Sequence, residues 1–169
     1  MTFQVGEKVV YPNHGVGTIE NISSRSFGTQ QERFYLLRFH LNSMTVMVPF
    51  SHVGDLGLRK VTKCSEISRV LTYLAAGRAA CLHDWKDRFK ENSDKMKNGS
   101  LLEIAEVFKT LAMLQAAKPL SFREKKMLDR ARQMMVTETS IAKGLNQGDA
   151  VTLISKALAK SGLPMPEPL

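Results

Sequence analysis

The chain has 169 residues and is basic, with 24 Lys and Arg against 16 Asp and Glu, a net charge of +8 and a pI near 9.7. A hydrophobic fraction of 43% with 24% charged residues excludes a disordered polar tail and predicts a folded protein with a core. No apolar run approaches the ~18 residues that span a bilayer, and the opening MTFQVGEKVVYP lacks the basic-then-apolar order of a secretory signal, so a cytoplasmic protein is expected.

Residues 1–61 read as strands. The runs EKVVYP, GVGTIENIS, RFYLLRFHL and MTVMVPF are rich in β-branched and aromatic residues, and PNHG, SFGTQQ and LNS between them are turn formers. A fifth strand is expected around LGLRKV. Pro49 ends its run because it cannot donate to a ladder. Gly15 and Gly17 flank Val16 where either a turn conformation or a close backbone approach is required.

From about Ser65 the apolar period becomes helical. SEISRVLTYLAAG reads as a helix closed by Gly77, and Asp84 would cap a second one running to about Lys97. SLLE and SFRE match the capping box, with Ser100 and Ser121 as N-caps and Glu103 and Glu124 three residues on. They open helices expected over 101–116 and 122–142, the first stopping before Pro119 and the second at Gly144. A fifth helix is expected over 149–160, followed by a short tail, GLPMPEPL, that should fray from residue 163 onward. The fold class is therefore α+β: a small antiparallel β-barrel or bent sheet over 1–61, then an all-α domain over 65–162.

The charge is unevenly shared. Residues 1–61 hold 6 basic and 4 acidic residues, whereas residues 62–169 hold 18 and 12. A polyanion-binding face, nucleic acid first, is expected in the helical part. On the helix that starts at Phe122, Arg123, Lys126 and Arg130 share one face, with Phe122, Met127, Leu128, Ala131, Met134 and Met135 expected on the core side.

Catalytic chemistry is not indicated. There is no nucleophile elbow, phosphate loop or HExxH motif, and the Cys81-x-His83 pair lacks further ligands, so no metal or cofactor is expected. Cys64 and Cys81 form no disulfide framework and read as reduced thiols.

The single tryptophan lies in HDWKDRFKEN. On a helix Trp85 shares a stripe with Phe89, Asn92 and Met96. Aromatic burial favours placing the whole stripe in the core, while the first-turn position of Trp85 allows it to project from the bundle.

The opening FQVGEKVVYPNHGVGTIENI, the strand MTVMVPF and GLRKV resemble the CarD/CdnL family of bacterial transcription regulators, and DWKDRFKEN followed by LSFREKKMLDRARQMM resembles the family's helical domain. The resemblance covers about residues 2–160. It implies a Tudor-like barrel that docks on the β subunit of RNA polymerase through Arg25 and an edge strand formed by Met44, Thr45, Val46, Met47, Val48 and Pro49. It also implies a helical domain that touches promoter DNA at the upstream edge of the melted region. There Trp85 would wedge into the minor groove and Arg88, Lys90 and Lys125 would hold phosphates; Lys126 and Arg130 join them from the shared-face argument.

The resemblance thus reverses the reading of Trp85 from buried to exposed. Some relatives carry Arg where this chain has Met47, which replaces a charged contact to the polymerase by an apolar one. A monomer associated with the nucleoid through polymerase is expected. The alternative is a polymerase-tethered adaptor whose helices bind protein rather than DNA.

Overall fold

The structure is a computed structural model. It describes the chain except Met1, Asn13, residues 41 and 42, residues 77–84, Gly99 and Leu169; of residues 85–87 and 98 it describes the backbone alone. The expected stop at Gly77 and cap at Asp84 lie outside the described residues, as do Cys81 and His83. The chain divides into two compact units, residues 1–61 and 62–169.

The first unit is an antiparallel sheet of five strands, β1 (Lys8–Tyr11), β2 (Gly15–Phe27), β3 (Gln30–Phe39), β4 (Thr45–Pro49) and β5 (Arg59–Lys60), in the order β4-β3-β2-β1-β5. Both glycine roles occur, one at each position. Gly15 takes φ +100° at the start of β2, and a Cβ on Gly17 would meet the Arg38 carbonyl oxygen at 3.1 Å.

β2 carries a bulge at Glu20: Ile19 pairs with Leu37, whereas Asn21 pairs with Leu36. The extra residue shifts the alternation, so that Ile19 and Ile22, three apart, both face the core opposite Leu37 and Tyr35. The Tyr35 hydroxyl accepts from the Phe3 backbone N–H at 3.0 Å, and its ring stacks on Phe50 at 4.1 Å. A buried phenol is thereby satisfied at the centre of the unit.

Two local features differ from the expectation. SFGTQQ is mostly strand: β2 and β3 run on to pair Phe27 with Gln30, leaving only Gly28 and Thr29 as the turn. Gly28 has φ +64° and Thr29 does not have positive φ, the pattern of a type II′ turn that matches strand twist. After Pro49 the chain makes a 3₁₀ turn (Phe50–His52) and α1 (Val53–Leu56), ended by Gly57 at φ +71°. These pieces are too short to show a helical period.

The second unit comprises α2 (Cys64–Ala76), α3 (Trp85–Asn98), α4 (Leu101–Ala117), α5 (Phe122–Lys143) and α6 (Gln147–Lys160). α4 is central and buries residues around most of its circumference, from Leu101 and Ile104 to Phe108 and Leu111. The N-caps are those expected: Ser100 Oγ accepts from Glu103 N and Ser121 Oγ from Glu124 N. α6 starts two residues early because Asn146 caps it through Asp149 N at 2.8 Å.

The tail expected to fray makes contacts as far as Pro166. Leu163 and Met165 pack on the helical core, and Arg132 Nε donates to the Pro166 carbonyl at 2.9 Å. Among the described residues no helix is long and apolar enough to cross a membrane.

Candidate functional site

Two surfaces bear the residues singled out in the sequence, one on each unit. In the first unit, cross-strand pairing sorts side chains onto faces. Val48 pairs with Tyr35 and Val46 with Leu37, all on the core side, and Val48 is 1% exposed. Thr45, Met47 and Pro49 pair with Arg38, Leu36 and Phe34 on the opposite face. Arg25, paired with Glu32, lies on that same outer face.

The structure therefore brings Arg25 together with three of the six edge-strand residues. Val48 is buried and can offer a partner only its backbone, whereas Val46 is half-buried against the core. β4 is an edge of the sheet, so its main chain has one side without a strand partner among the described residues.

The outer face is apolar for a surface. Phe27 is 61% exposed and Met47 37%, and Phe27 meets Phe34 edge-on with ring centroids 6.4 Å apart. The Glu32 carboxylate accepts from the Ser51 hydroxyl at 2.9 Å and forms no ion pair with Arg25 across the ladder. The result is an exposed guanidinium beside an apolar edge, a combination suited to a protein partner.

In the second unit the relevant residues converge where the start of α3 meets the start of α5. Arg88 Nε donates to Glu124 Oε2 at 2.9 Å and Nη2 to Oε1 at 3.1 Å, with side-chain exposures of only 13% and 4%. One position further along each chain direction, the Arg123 guanidinium lies 4.3 Å from the centre of the Phe89 ring. Arg88 is thus engaged within the protein. Near this junction Lys90 on α3 and Arg123, Lys126 and Arg130 on α5 are exposed; Lys125 is half-buried and lies on a neighbouring face, about 100° around the helix from Lys126.

Phe122 corrects the expected core side of α5. It is 64% exposed, and the Lys126 ammonium sits 4.7 Å from its ring centre. Nine residues separate Phe122 from buried Ala131, which is about half a turn on the helical wheel, so the two cannot share a face. Sequence reasoning placed Phe122 inward because it is apolar; its angular position pointed outward. It joins the basic face as a residue that the sequence reading missed.

The stripe on α3 emerges from the core toward the start of the helix. Met96 and Asn92 are each 2% exposed, and Phe89 is half-buried beneath Arg123. Trp85 is the first residue of α3, on the same stripe; its side chain lies outside the described residues. At the far end of α3, Lys95 reaches Glu106 at 2.9 Å and Glu91 at 3.7 Å. Burial opposes that charge, but the hydrogen bond to Glu106 and the two carboxylates outweigh it and raise the pKa.

The chain is similar to known proteins along most of its length. Residues 69–155 match the CarD C-terminal domain, and residues 3–62 match the CarD-like/TRCF RID domain. A curated relative, the "Putative transcription factor YdeB" of Bacillus subtilis (strain 168), is 36% identical over 145 residues, covering 86% of this chain and 95% of that protein.

Proposed function

The chain belongs to the CarD family, and from that membership we propose that it regulates transcription initiation, holding RNA polymerase through residues 1–61 and promoter DNA through residues 62–169. The first unit docks on the β subunit. Met47 and the backbone of β4 form the contact line, with Arg25 beside it on the same face. Because Met47 sits beside Leu36 where some relatives have Arg, this contact is apolar and owes less to charge than theirs.

The second unit stabilises the open complex at the upstream edge of the melted region. Trp85 enters the minor groove, and Lys90, Lys126 and Arg130, with Arg123 and Lys125 at the margins, hold phosphates. The observation that carries this reading is Arg123 stacked on Phe89, one turn after Trp85, which sets the cationic face of α5 against the helix that begins with the tryptophan. Exposed Phe122 gives that face a second ring. Phosphate contacts discriminate little between sequences, so promoter choice stays with the polymerase. The protein acts in the cytoplasm, on the nucleoid, as a monomer.

The test is binding of the full chain with polymerase to a forked promoter fragment over a range of salt. DNA contact through these side chains predicts affinity that falls steeply with salt. An adaptor that binds only proteins through its helices would add no salt-dependent DNA affinity beyond that of polymerase alone.

A further inference from the structure

Arg88 combines two features that a simple phosphate ligand would not need. Its guanidinium is nearly buried, and both bonds of its fork are spent on Glu124, a carboxylate that is itself 4% exposed. Glu124 is also the capping-box residue of α5: its backbone N–H donates to Ser121 Oγ at 3.3 Å, and its carboxylate lies 3.4 Å from the same hydroxyl. The ion pair therefore joins the first turn of α3 to the capped first turn of α5. Beside it lies a cleft of about 270 Å³, bordered by Leu114, Pro119 and Leu120, that apolar packing does not fill.

Trp85 precedes Arg88 by three residues and Phe89 by four, the spacing that puts all three on neighbouring positions of one helix surface. The two contacts to α5, Arg88 with Glu124 and Phe89 with Arg123, thus fix the rotation and tilt of the turn that begins with Trp85.

We infer that Arg88 and Glu124 form a strut that holds the start of α3, the turn that begins with Trp85, on α5, and that Arg88 supports DNA binding by holding that turn rather than as a phosphate ligand. The inference rests on the DNA-binding reading above. It makes a prediction of opposite sign to simple electrostatics. Removing the negative charge of Glu124 from a DNA-facing domain should tighten binding if charge alone mattered, whereas loss of the strut weakens it. A planar bidentate pair is also poorly replaced by Lys, which keeps the charge and loses the fork.

The test uses the full chain with polymerase on a forked promoter, comparing wild type, Glu124→Gln, Arg88→Gln, Arg88→Lys and Lys126→Gln. The strut predicts several-fold weaker binding for Glu124→Gln, Arg88→Gln and Arg88→Lys, no further loss in the Arg88→Gln/Glu124→Gln double variant, and an unchanged salt slope in each. Lys126→Gln should instead lower the slope by about 1. Since Trp85 is the only tryptophan, its fluorescence anisotropy in the free protein reports the turn directly, and should fall in the strut variants but not in Lys126→Gln.

Unchanged or tighter binding by Glu124→Gln, or a slope lowered by about 1 in Arg88→Gln with binding kept by Arg88→Lys, would overturn the strut. If wild type itself shows no salt-dependent DNA affinity, the DNA-binding reading fails. If wild type and Lys126→Gln behave as stated and Glu124→Gln has no effect, the strut alone fails.

Discussion

Thr62 is tied to Glu138 twice: its backbone N–H donates to Glu138 Oε2 at 2.8 Å, and its hydroxyl donates to the same oxygen. Glu138 is 1% exposed in the middle of α5, so the pair anchors the segment leading into α2 to the longest helix of the unit. A hydrogen bond to a buried carboxylate contributes more than one between neutral groups. Thr62→Val keeps the shape and deletes the hydroxyl; it should lower unfolding stability by about 1.5–3 kcal/mol, read from the urea midpoint.

Adjacent residues of β4 should separate docking from folding. Met47→Glu places a charge on the exposed outer face, and it should weaken polymerase capture while leaving the melting temperature near wild type. Arg25→Glu should do the same. Val48→Ala, one residue away but 1% exposed, should cost about 1–3 kcal/mol of stability through lost burial. Pull-down on purified polymerase and thermal melting of each variant give the comparison.

Phe122→Ala removes an exposed ring and no core contact of consequence, so stability should change by less than ~0.5 kcal/mol. Affinity for the forked promoter should nonetheless fall, with the salt slope kept, because a ring contributes stacking rather than charge. Equal affinity would remove Phe122 from the DNA face.

His40 gives the first unit an acid sensitivity. Its Nε2 lies 2.8 Å from Thr18 Oγ1, and partial burial, followed by the positive charge of Lys8, holds its pKa below the ordinary 6.5. The unfolded chain then takes up the proton at higher pH than the folded one. Stability is complete above pH 6.5 and declines as pH falls from there through the lowered folded pKa. Melting of wild type and His40→Gln across that range should show the decline in the first and a smaller one in the second.

Local signals carried much of the fold. Ser100 and Ser121 could be recognised as caps because the box motif is contained in four residues. Asn146 and Asp149 follow the same logic with other residue types, and the reading that required Ser or Thr with Glu or Gln missed them. The bulge at Glu20 was not legible: nothing in GTIENIS marks the extra residue, and only the pairing partners on β3 reveal it.

The candidate site divides the same way. Composition located the basic face in the second unit, and periodicity grouped Arg123, Lys126 and Arg130. Arg88 looked like one more surface cation because its partner lies 36 residues further on, across a helix joint that no local pattern encodes. Phe122 looked like core because hydrophobicity was weighed ahead of helical angle.

In the proposed function Trp85, at the start of α3, acts on melted promoter DNA. The most direct measurement is the lifetime of polymerase–promoter open complexes challenged with competitor DNA, with wild type and with Trp85→Ala at saturating concentrations of each protein. Wild type should extend the lifetime over polymerase alone, and Trp85→Ala should lose most of that extension while still binding polymerase. Equal lifetimes with wild type and Trp85→Ala would rule out that role for Trp85.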